Sequence, residues 1–342
     1  MAIHKLTSTD AFVAFDLDGA PAAGIVRAAP KILQGGAKDL ARSMTYTFAT
    51  LEMQRGGASA GINAQPDDRA AAIAAFASEL TPMAADGALA LDAGKGVATD
   101  QLAELNAADD RSDLASQAHG DDTLGAHLAG LGPVVAAAAA VGGLDGKKIA
   151  IEGFGATGPA LAAAAAAQGA TIVAISTTKG SKSDAGGLDP AELSGAWAES
   201  GDAMLGDDAD AAWKVFGAEA DILFAGSKAG AINHETAGRL GASAVVPHGA
   251  LPFTARALAV MQRADITLVP DFISLAAPAV AAWPGDASDA DAVIAKATNA
   301  IESAISETLS HDDGAFLGAC YRAEAFLSTW QESLPFGRPL AS

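Results

Sequence analysis

The order of apolar and polar positions predicts strands and helices along most of the chain. Between residues 10 and 30, short apolar runs are separated by turn residues, which is typical of strands. From residue 35 to 54 apolar side chains recur at the spacing of one helix face, at Leu40, Met44, Phe48 and Leu51. Gly56 and Gly57 follow, and we expect them to end this helix and open a loop.

Four further segments carry helix formers and predict helices, namely 67–83, 99–109, 123–141 and 291–330. The first of them begins with acidic residues, which suit the positive end of a helix. In the second, Thr99 or Asp100 is a candidate helix cap.

A strand, a glycine-rich turn, a helix and a second strand are predicted between residues 147 and 176. Three later segments each contain a short apolar strand ending in small or polar residues, within 212–227, 240–249 and 264–272. Alternation of this kind indicates a parallel sheet with helices on both faces. A length of 342 residues suits two domains. The sequence therefore predicts an α/β protein with two domains.

The composition of the chain limits which binding partners and which cell compartment we expect for it. The formal charge of −20 repels phosphate backbones and anionic lipid, so neither nucleic acid nor membrane is expected as a partner. Solubility and adaptation to salt both remain explanations of this acidity. The N-terminus has no signal-peptide pattern, and the apolar run 132–144 is short and rich in Ala and Gly, so we expect a cytoplasmic protein.

Cysteine and histidine usage gives no reason to expect a metal or disulfide. The single cysteine, Cys320, excludes a disulfide framework within the chain. The six histidines show no ligand spacing and no Cys-x-x-Cys pair exists, so no metal site is predicted.

Residues 153–158 match the G-x-G-x-x-G pattern, as Gly153, Phe154, Gly155, Ala156, Thr157 and Gly158. The motif follows a predicted strand and opens a predicted helix, which is the context of a dinucleotide-binding turn. Gly153 would permit the tight turn, Gly155 the approach of a pyrophosphate, and Gly158 close packing of helix on strand. A turn that needs glycine only for packing is the alternative.

The second strand of this unit ends in Ser176, Thr177, Thr178 and Lys179. An acid usually stands there to bind the adenosine ribose. Hydroxyls and a lysine instead favour NADP over NAD, although Lys179 as a solvated turn residue remains an alternative.

Lys228 and His248 end later strands of the same predicted sheet. Lys228 is a candidate for cofactor phosphate or ribose, and His248 for a proton relay. A satisfied loop histidine is the alternative for His248.

The order of these segments resembles the glutamate/leucine/phenylalanine/valine dehydrogenases. The segments that carry the resemblance are "LARSMTYTFATLEMQRGGASAGI", "GVATDQL", "IEGFGATG", "VVPHGALPFT" and "LVPDFISLAAP". It implies a substrate-side and oligomerisation domain over residues 1–135 and a Rossmann-type NAD(P) domain over residues 136–289. The helices of 290–342 would pack back on the first domain. It also implies a homo-oligomer, dimeric or larger, that acts on a small molecule.

The departures from this family concern the groups that recognise an amino acid. The two lysines of the family pattern fall on Thr47 and Ser59, and its two asparagines fall on Leu251 and Leu275. The family's catalytic aspartate is kept as Asp100, for which a helix cap is the alternative. Ser59 is either a hydrogen-bond donor to substrate or a small loop residue.

These changes predict an oxidoreductase whose substrate is less anionic than an ordinary L-amino acid, such as an amine, a ketone or an alcohol. Two alternatives stay open. One is a catalytically silent relative that binds a nucleotide and has a regulatory or scaffolding role. The other is a non-redox enzyme, a lyase or an isomerase, on the same fold.

Overall fold

A computed structural model describes residues 1–341, and the chain divides into two compact units. The first unit contains residues 1–112 and 323–340, and the second contains residues 113–322 and Ala341. Both are built from helices around a sheet with parallel strands, so the predicted α/β fold is confirmed. The assignment of substrate binding to 1–135 and of cofactor binding to 136–289 stays a prediction.

The first unit is a five-stranded mixed sheet with helices on both faces. Its strands are β1 Ala2–Lys5, β2 Ala11–Phe15, β3 Ala22–Ala29, β4 Gly56–Asn63 and β5 Leu89–Ala93, in the order β1-β2-β4-β3-β5. Its helices are α1 Gln34–Thr50, α2 Arg69–Ala85 and α3 Ala103–Ala108. The apolar face of α2, with Ile73, Phe76 and Leu80, packs on one side of the sheet, while α1 packs on the other.

The expectation of a loop at Gly56 and Gly57 was wrong, because these residues begin β4, the central strand of this sheet. Glycine and alanine have low strand propensity, but tertiary packing overrides it here. A Cβ atom at Gly57 would overlap the carbonyl oxygen of Ala41 in α1, and one at Gly24 would overlap that of Ala58. The small residues therefore let helix and strands approach closely.

The second unit contains a hairpin and a six-stranded sheet. The hairpin is formed by β6 Ala118–His119 and β7 Asp122–Thr123. The sheet has the strands β8 Lys148–Glu152, β9 Thr171–Thr177, β10 Gly180–Ser183, β11 Ile222–Ala225, β12 Ala244–Pro247 and β13 Thr267–Leu268. Their order is β10-β9-β8-β11-β12-β13, and all pairs are parallel except β10 with β9.

Nine helices follow one another along residues 113–327, and the last of them continues into residues 323–327 of the first unit. They are α4 Leu124–Val141, α5 Gly158–Ala167, α6 Pro190–Ser200, α7 His234–Ala237, α8 Ala255–Arg263, α9 Asp271–Ser274, α10 Ala277–Ala282, α11 Ala290–Thr308 and α12 Ala315–Leu327. In the six-stranded sheet β9 lies on one side of β8 and β11 lies on the other, so the direction in which successive strands are added reverses at β8. Ligands of such sheets bind outside the carboxyl ends of the strands at this reversal. The carboxyl ends of β8 and β11 are therefore where we expect a ligand to bind.

Helix α4 is long and apolar enough, by length and composition, to cross a membrane, so the expectation that its apolar run is too short was wrong. Half of it is buried inside the protein, where it packs on α5, α10 and α11. Gly130 of α4 lies so close to Ala160 of α5 that a Cβ would come within 2.6 Å of that residue's carbonyl carbon. This close packing is typical of a core helix.

Substitution of Gly57 tests the close contact of α1 with β4. We expect Gly57→Ala to lower the free energy of unfolding by about 1–3 kcal/mol, because the added methyl group overpacks the contact. Gly36→Ala is the matched control, since the exposed Gly36 of α1 has no atom within 4 Å of an added Cβ. It should be neutral or stabilising by up to about 1 kcal/mol. Equal denaturation midpoints for the two variants would contradict the packing argument.

Candidate functional site

The turn after β8 is fixed to the neighbouring strand β9. The amide of Phe154 donates to the carbonyl of Ser176 at 2.6 Å, and the amide of Gly153 donates to the Ser176 hydroxyl oxygen at 3.2 Å. Gly153 has a φ of +85°, and a Cβ there would come within 2.6 Å of the Ser227 amide nitrogen. Glycine is therefore required at this position for both conformation and space.

The other two glycines of the motif have different surroundings. A Cβ at Gly158 would come within 2.8 Å of the Phe154 ring, so Gly158 allows close packing at the start of α5. A Cβ at Gly155 would meet only the Gly153 carbonyl oxygen, at 3.7 Å, so the backbone is open there. An open backbone before a helix N-terminus fits the pyrophosphate of a dinucleotide. Ala156 is exposed and Thr157 is half-buried on the same turn.

Glu152, the last residue of β8, connects the carboxyl ends of three adjacent strands. Its buried carboxylate accepts hydrogen bonds from the amides of Gly226 at 3.0 Å and Ser227 at 3.1 Å, just after β11. Its carbonyl oxygen lies 2.8 Å from Nε2 of His248, just after β12. The sequence analysis missed this residue, although an acid directly before the glycine motif was a visible signal.

His248 is buried against this arrangement. Burial lowers the pKa of its imidazole, and this outweighs the hydrogen bond and charge of Glu152, which act in the opposite direction. The neutral ring donates from Nε2 to the Glu152 carbonyl, which leaves Nδ1 to face the Thr157 hydroxyl at 3.5 Å. His248 is thus held in place by backbone, and its role in proton transfer stays a prediction.

The hydroxyl groups of Ser176 and Thr177, at the end of β9, form hydrogen bonds to other residues of the protein. Ser176 supports the turn at Gly153, and Thr177 donates to the carbonyl of Asp202 at 2.8 Å. The Thr177 hydroxyl also accepts from the amide of Lys179, at 3.1 Å. The Lys179 side chain is exposed, as is that of Lys228 in the loop after β11.

Leu251 has a left-handed backbone with a φ of +55° and is buried. Such a conformation suits Asn or Gly and costs another residue roughly 1–2 kcal/mol, so its backbone fits the asparagine of the family pattern. The amide of Leu251 donates to the carboxylate of Asp271 at 2.8 Å, and the amide of half-buried Leu275 donates to the Asp271 carbonyl at 2.9 Å. Asp271 therefore links the two leucines, a role that the sequence did not reveal.

In the first unit, Thr47 and Ser59 are both buried and neutral. The Thr47 hydroxyl donates back to the carbonyl of Ser43 in α1, at 3.1 Å. Ser59 lies in β4 rather than in a loop, on the face toward α1, and its Oγ has no hydrogen-bond partner among residues 1–341. Neither residue replaces the charge of a lysine.

Asp100 lies in a short 3-10 segment, Thr99–Leu102, and its side chain is exposed. The N-cap is Ala98, whose amide donates to the side chain of Gln101 at 2.8 Å. The interpretation of Thr99 or Asp100 as the cap was therefore wrong. An acid-base role for Asp100 stays a prediction.

Arg27 of β3 projects from the same face of the sheet as Ser59, since its register partner is Gly61, two residues further along β4. Its Nε and Nη2 atoms are buried and have no hydrogen-bond partner among the residues that the structure describes. Burial lowers the pKa of this guanidinium. The Arg27 guanidinium therefore has two nitrogen donors without a hydrogen-bond partner among the described residues.

The fold and the glycine turn define the class: a two-unit α/β protein with a Rossmann-type sheet. Residues 126–277 match the family model described as Glutamate/Leucine/Phenylalanine/Valine dehydrogenase. The resemblance predicted from the motifs is confirmed over this segment. Comparison with curated protein sequences gives no match.

Solved structures of dehydrogenases share the fold over nearly the whole chain. The hetero-hexameric glutamate dehydrogenase from Thermus thermophilus, in its Leu bound form, has a TM-score of 0.78 at 22% identity, covering 92% of this chain and 82% of its own. L-tryptophan dehydrogenase from Nostoc punctiforme has a TM-score of 0.67 at 19% identity, covering 97% of both chains. Glutamate dehydrogenase from Plasmodium falciparum has a TM-score of 0.72 at 13% identity, covering 93% and 77%.

The buried His248 makes the stability of the protein depend on pH in a defined direction. An unfolded histidine titrates at about pH 6.5, whereas burial lowers the pKa of His248 in the folded protein. Below the unfolded pKa the unfolded chain therefore binds more protons, and the free energy of unfolding falls until the pH passes the folded pKa.

We expect His248→Gln to make this decline shallower in denaturant unfolding measured across roughly pH 4 to 8, a window that brackets the unfolded pKa. His4→Gln, at an exposed position in β1, serves as the control and should leave the decline as in the parent protein. Parallel curves for the parent and His248→Gln would show that the buried ring does not contribute to the pH dependence.

Proposed function

We propose that the protein is an NAD(P)-dependent oxidoreductase that acts on a small molecule less anionic than an ordinary L-amino acid. An amine, a ketone or an alcohol has this character. The observation that carries the proposal is the open backbone at Gly155, at the strand reversal of a Rossmann-type sheet. When bound, the nicotinamide supplies the acceptor or donor of a hydride.

On the cofactor side, the turn Gly153–Gly158 and the N-terminus of α5 would hold the pyrophosphate. The contacts of Glu152 with the loops after β11 and β12 keep this turn in place. Lys228 is exposed in the loop after β11, where its charge would meet phosphate or ribose.

On the substrate side, the neutral residues argue against a carboxylate ligand at the positions of the family's lysines. A charge-assisted hydrogen bond to a carboxylate contributes about 1.5–3 kcal/mol, and a buried carboxylate without a partner is costly. The Thr47 hydroxyl is already bound to the Ser43 carbonyl. Leu251 and Leu275 add apolar surface where the family pattern has amides. Asp100 would exchange the proton, with Ser59 as a further candidate donor.

The glutamate dehydrogenase from Thermus thermophilus is a hetero-hexamer. For this chain we propose a homo-oligomer, dimeric or larger, in the cytoplasm. Light scattering of the purified protein measures the assembly, and a monomer at micromolar concentration would contradict this part of the proposal.

Cofactor binding is tested by calorimetric titration with NADH and with NADPH. We expect one or both to bind the parent protein, and Gly155→Val to weaken this binding at least tenfold (about 1.4 kcal/mol) because its side chain fills the approach to the backbone. Gly195→Val, at an open and exposed position of α6, is the matched control. If neither nucleotide binds the parent protein, the oxidoreductase proposal fails.

Substrate class is tested by following cofactor absorbance with panels of amines, ketones, alcohols and L-amino acids. We expect turnover in at least one of the first three panels, and we expect Asp100→Asn to reduce this turnover by roughly 10²–10⁴-fold while the cofactor still binds. Ordinary turnover of L-amino acids would contradict the proposed substrate class, and Arg27 would then be the first residue to test as the carboxylate partner.

A silent nucleotide-binding relative is the second candidate, and the buried, neutral Thr47 and Ser59 favour it. Nucleotide binding without turnover of any panel would support this function. A lyase or isomerase would instead form product without any change in cofactor absorbance.

A further inference from the structure

The turn that follows β9 lies against an acidic side chain from a distant part of the chain. Asp202 stands in a short 3-10 segment, Gly201–Ala203, after the end of α6. Thr177 donates to its carbonyl at 2.8 Å, and the hydroxyl of Thr178 donates to its carboxylate oxygen Oδ2, also at 2.8 Å. Two successive residues at the end of β9 therefore bind both the backbone and the side chain of Asp202.

The loop that carries Asp202 is attached to the sheet at a second place. The amide of Ser181 in β10 donates to the carbonyl of Asp210 at 2.8 Å, and the amide of Asp210 donates back at 2.9 Å. The Ser181 hydroxyl also donates to the carbonyl of Ala211, at 2.9 Å. Because residues 202 and 210 are both bound to the β9–β10 hairpin, the position of Asp202 is fixed from both ends of the loop.

The hydroxyls that favoured NADP in the sequence have other partners in the fold. Ser176 accepts from the amide of Gly153, and Thr177 is bonded to Asp202 and Lys179. Thr178 orients a carboxylate. Of the group that favoured NADP, only the exposed Lys179 remains as a charge for a 2′-phosphate.

In dinucleotide-binding sheets, an acid at the end of the second strand binds the ribose 2′-hydroxyl, and its charge repels a 2′-phosphate. In this protein the strand itself ends in hydroxyl residues, but Asp202 brings a carboxylate to that strand end. The bond from Thr178 occupies Oδ2. Oδ1 is the atom that we assign to the ribose hydroxyl.

We propose that Asp202 selects NAD(H) over NADP(H), with Thr178 as the residue that positions it. This inference rests on the proposed dinucleotide-binding function and deepens it, because it names which cofactor the site accepts. It reverses the preference for NADP that Ser176, Thr177 and Lys179 suggested in the sequence.

The test is calorimetric titration of the parent protein and three variants with NADH and NADPH at about 0.15 M ionic strength, where long-range charge effects are screened. We expect the parent protein to bind NADH at least about tenfold more tightly than NADPH. Asp202→Asn should narrow this ratio of affinities, because it weakens the binding of NADH and strengthens the binding of NADPH. Thr178→Val should narrow it less, because the carboxylate remains but loses its orienting bond.

Asp208→Asn is the matched control, since it makes the same change of charge at an exposed position of the same loop. It should leave the ratio as in the parent protein. If it narrows the ratio as much as Asp202→Asn does, overall charge selects the cofactor and the assignment to Asp202 is wrong. Melting temperatures of all variants confirm that each is folded.

The outcomes separate this inference from the proposal on which it rests. Tighter binding of NADPH by the parent protein, or an unchanged ratio in Asp202→Asn, overturns the role of Asp202 and leaves the oxidoreductase proposal in place. Binding of neither nucleotide overturns both.

Discussion

The carboxylate of Glu152 is the contact on which the carboxyl ends of β8, β11 and β12 depend. A buried carboxylate needs hydrogen-bond donors, and the amides of Gly226 and Ser227 supply them to Glu152. The carbonyl oxygen of Glu152 also accepts from the Gly226 amide and lies 2.8 Å from Nε2 of His248. The loops after three neighbouring strands are thereby held together, and the turn at Gly153 fits against Ser227 with no room for a side chain.

In the first unit the corresponding constraint is steric. Gly57 and Gly24 allow α1, β3 and β4 to approach more closely than side chains would permit. Ser59 of β4 is completely buried, and the alternation of side chains along the strand directs it toward α1.

The end of β9 shows how little a local window of sequence reveals about a candidate site. The end of β9 has no acid of its own, and the nearest acids in sequence give no sign of lying beside it. Asp202 reaches it because α6 returns the chain to the sheet and Ser181 pairs with Asp210. Leu251 is a similar case, since its left-handed backbone and its bond to Asp271 are set by neighbours from another segment.

The sequence alone determined the α/β class, the strand–turn–helix–strand unit around Gly153–Gly158 and the family resemblance, because these depend on short-range periodicity and on glycines at fixed spacing. It also located the end of β12 at His248, whereas β11 ends at Ala225 and Lys228 lies in the loop that follows. It failed at β4, where glycine and alanine form a central strand, and at Asp100, which caps no helix. Only the tertiary structure decided those features and brought Glu152, Asp202 and Asp271 to their partners. The physical reason is that hydrogen bonds and close packing between distant segments leave no periodic signal along the chain.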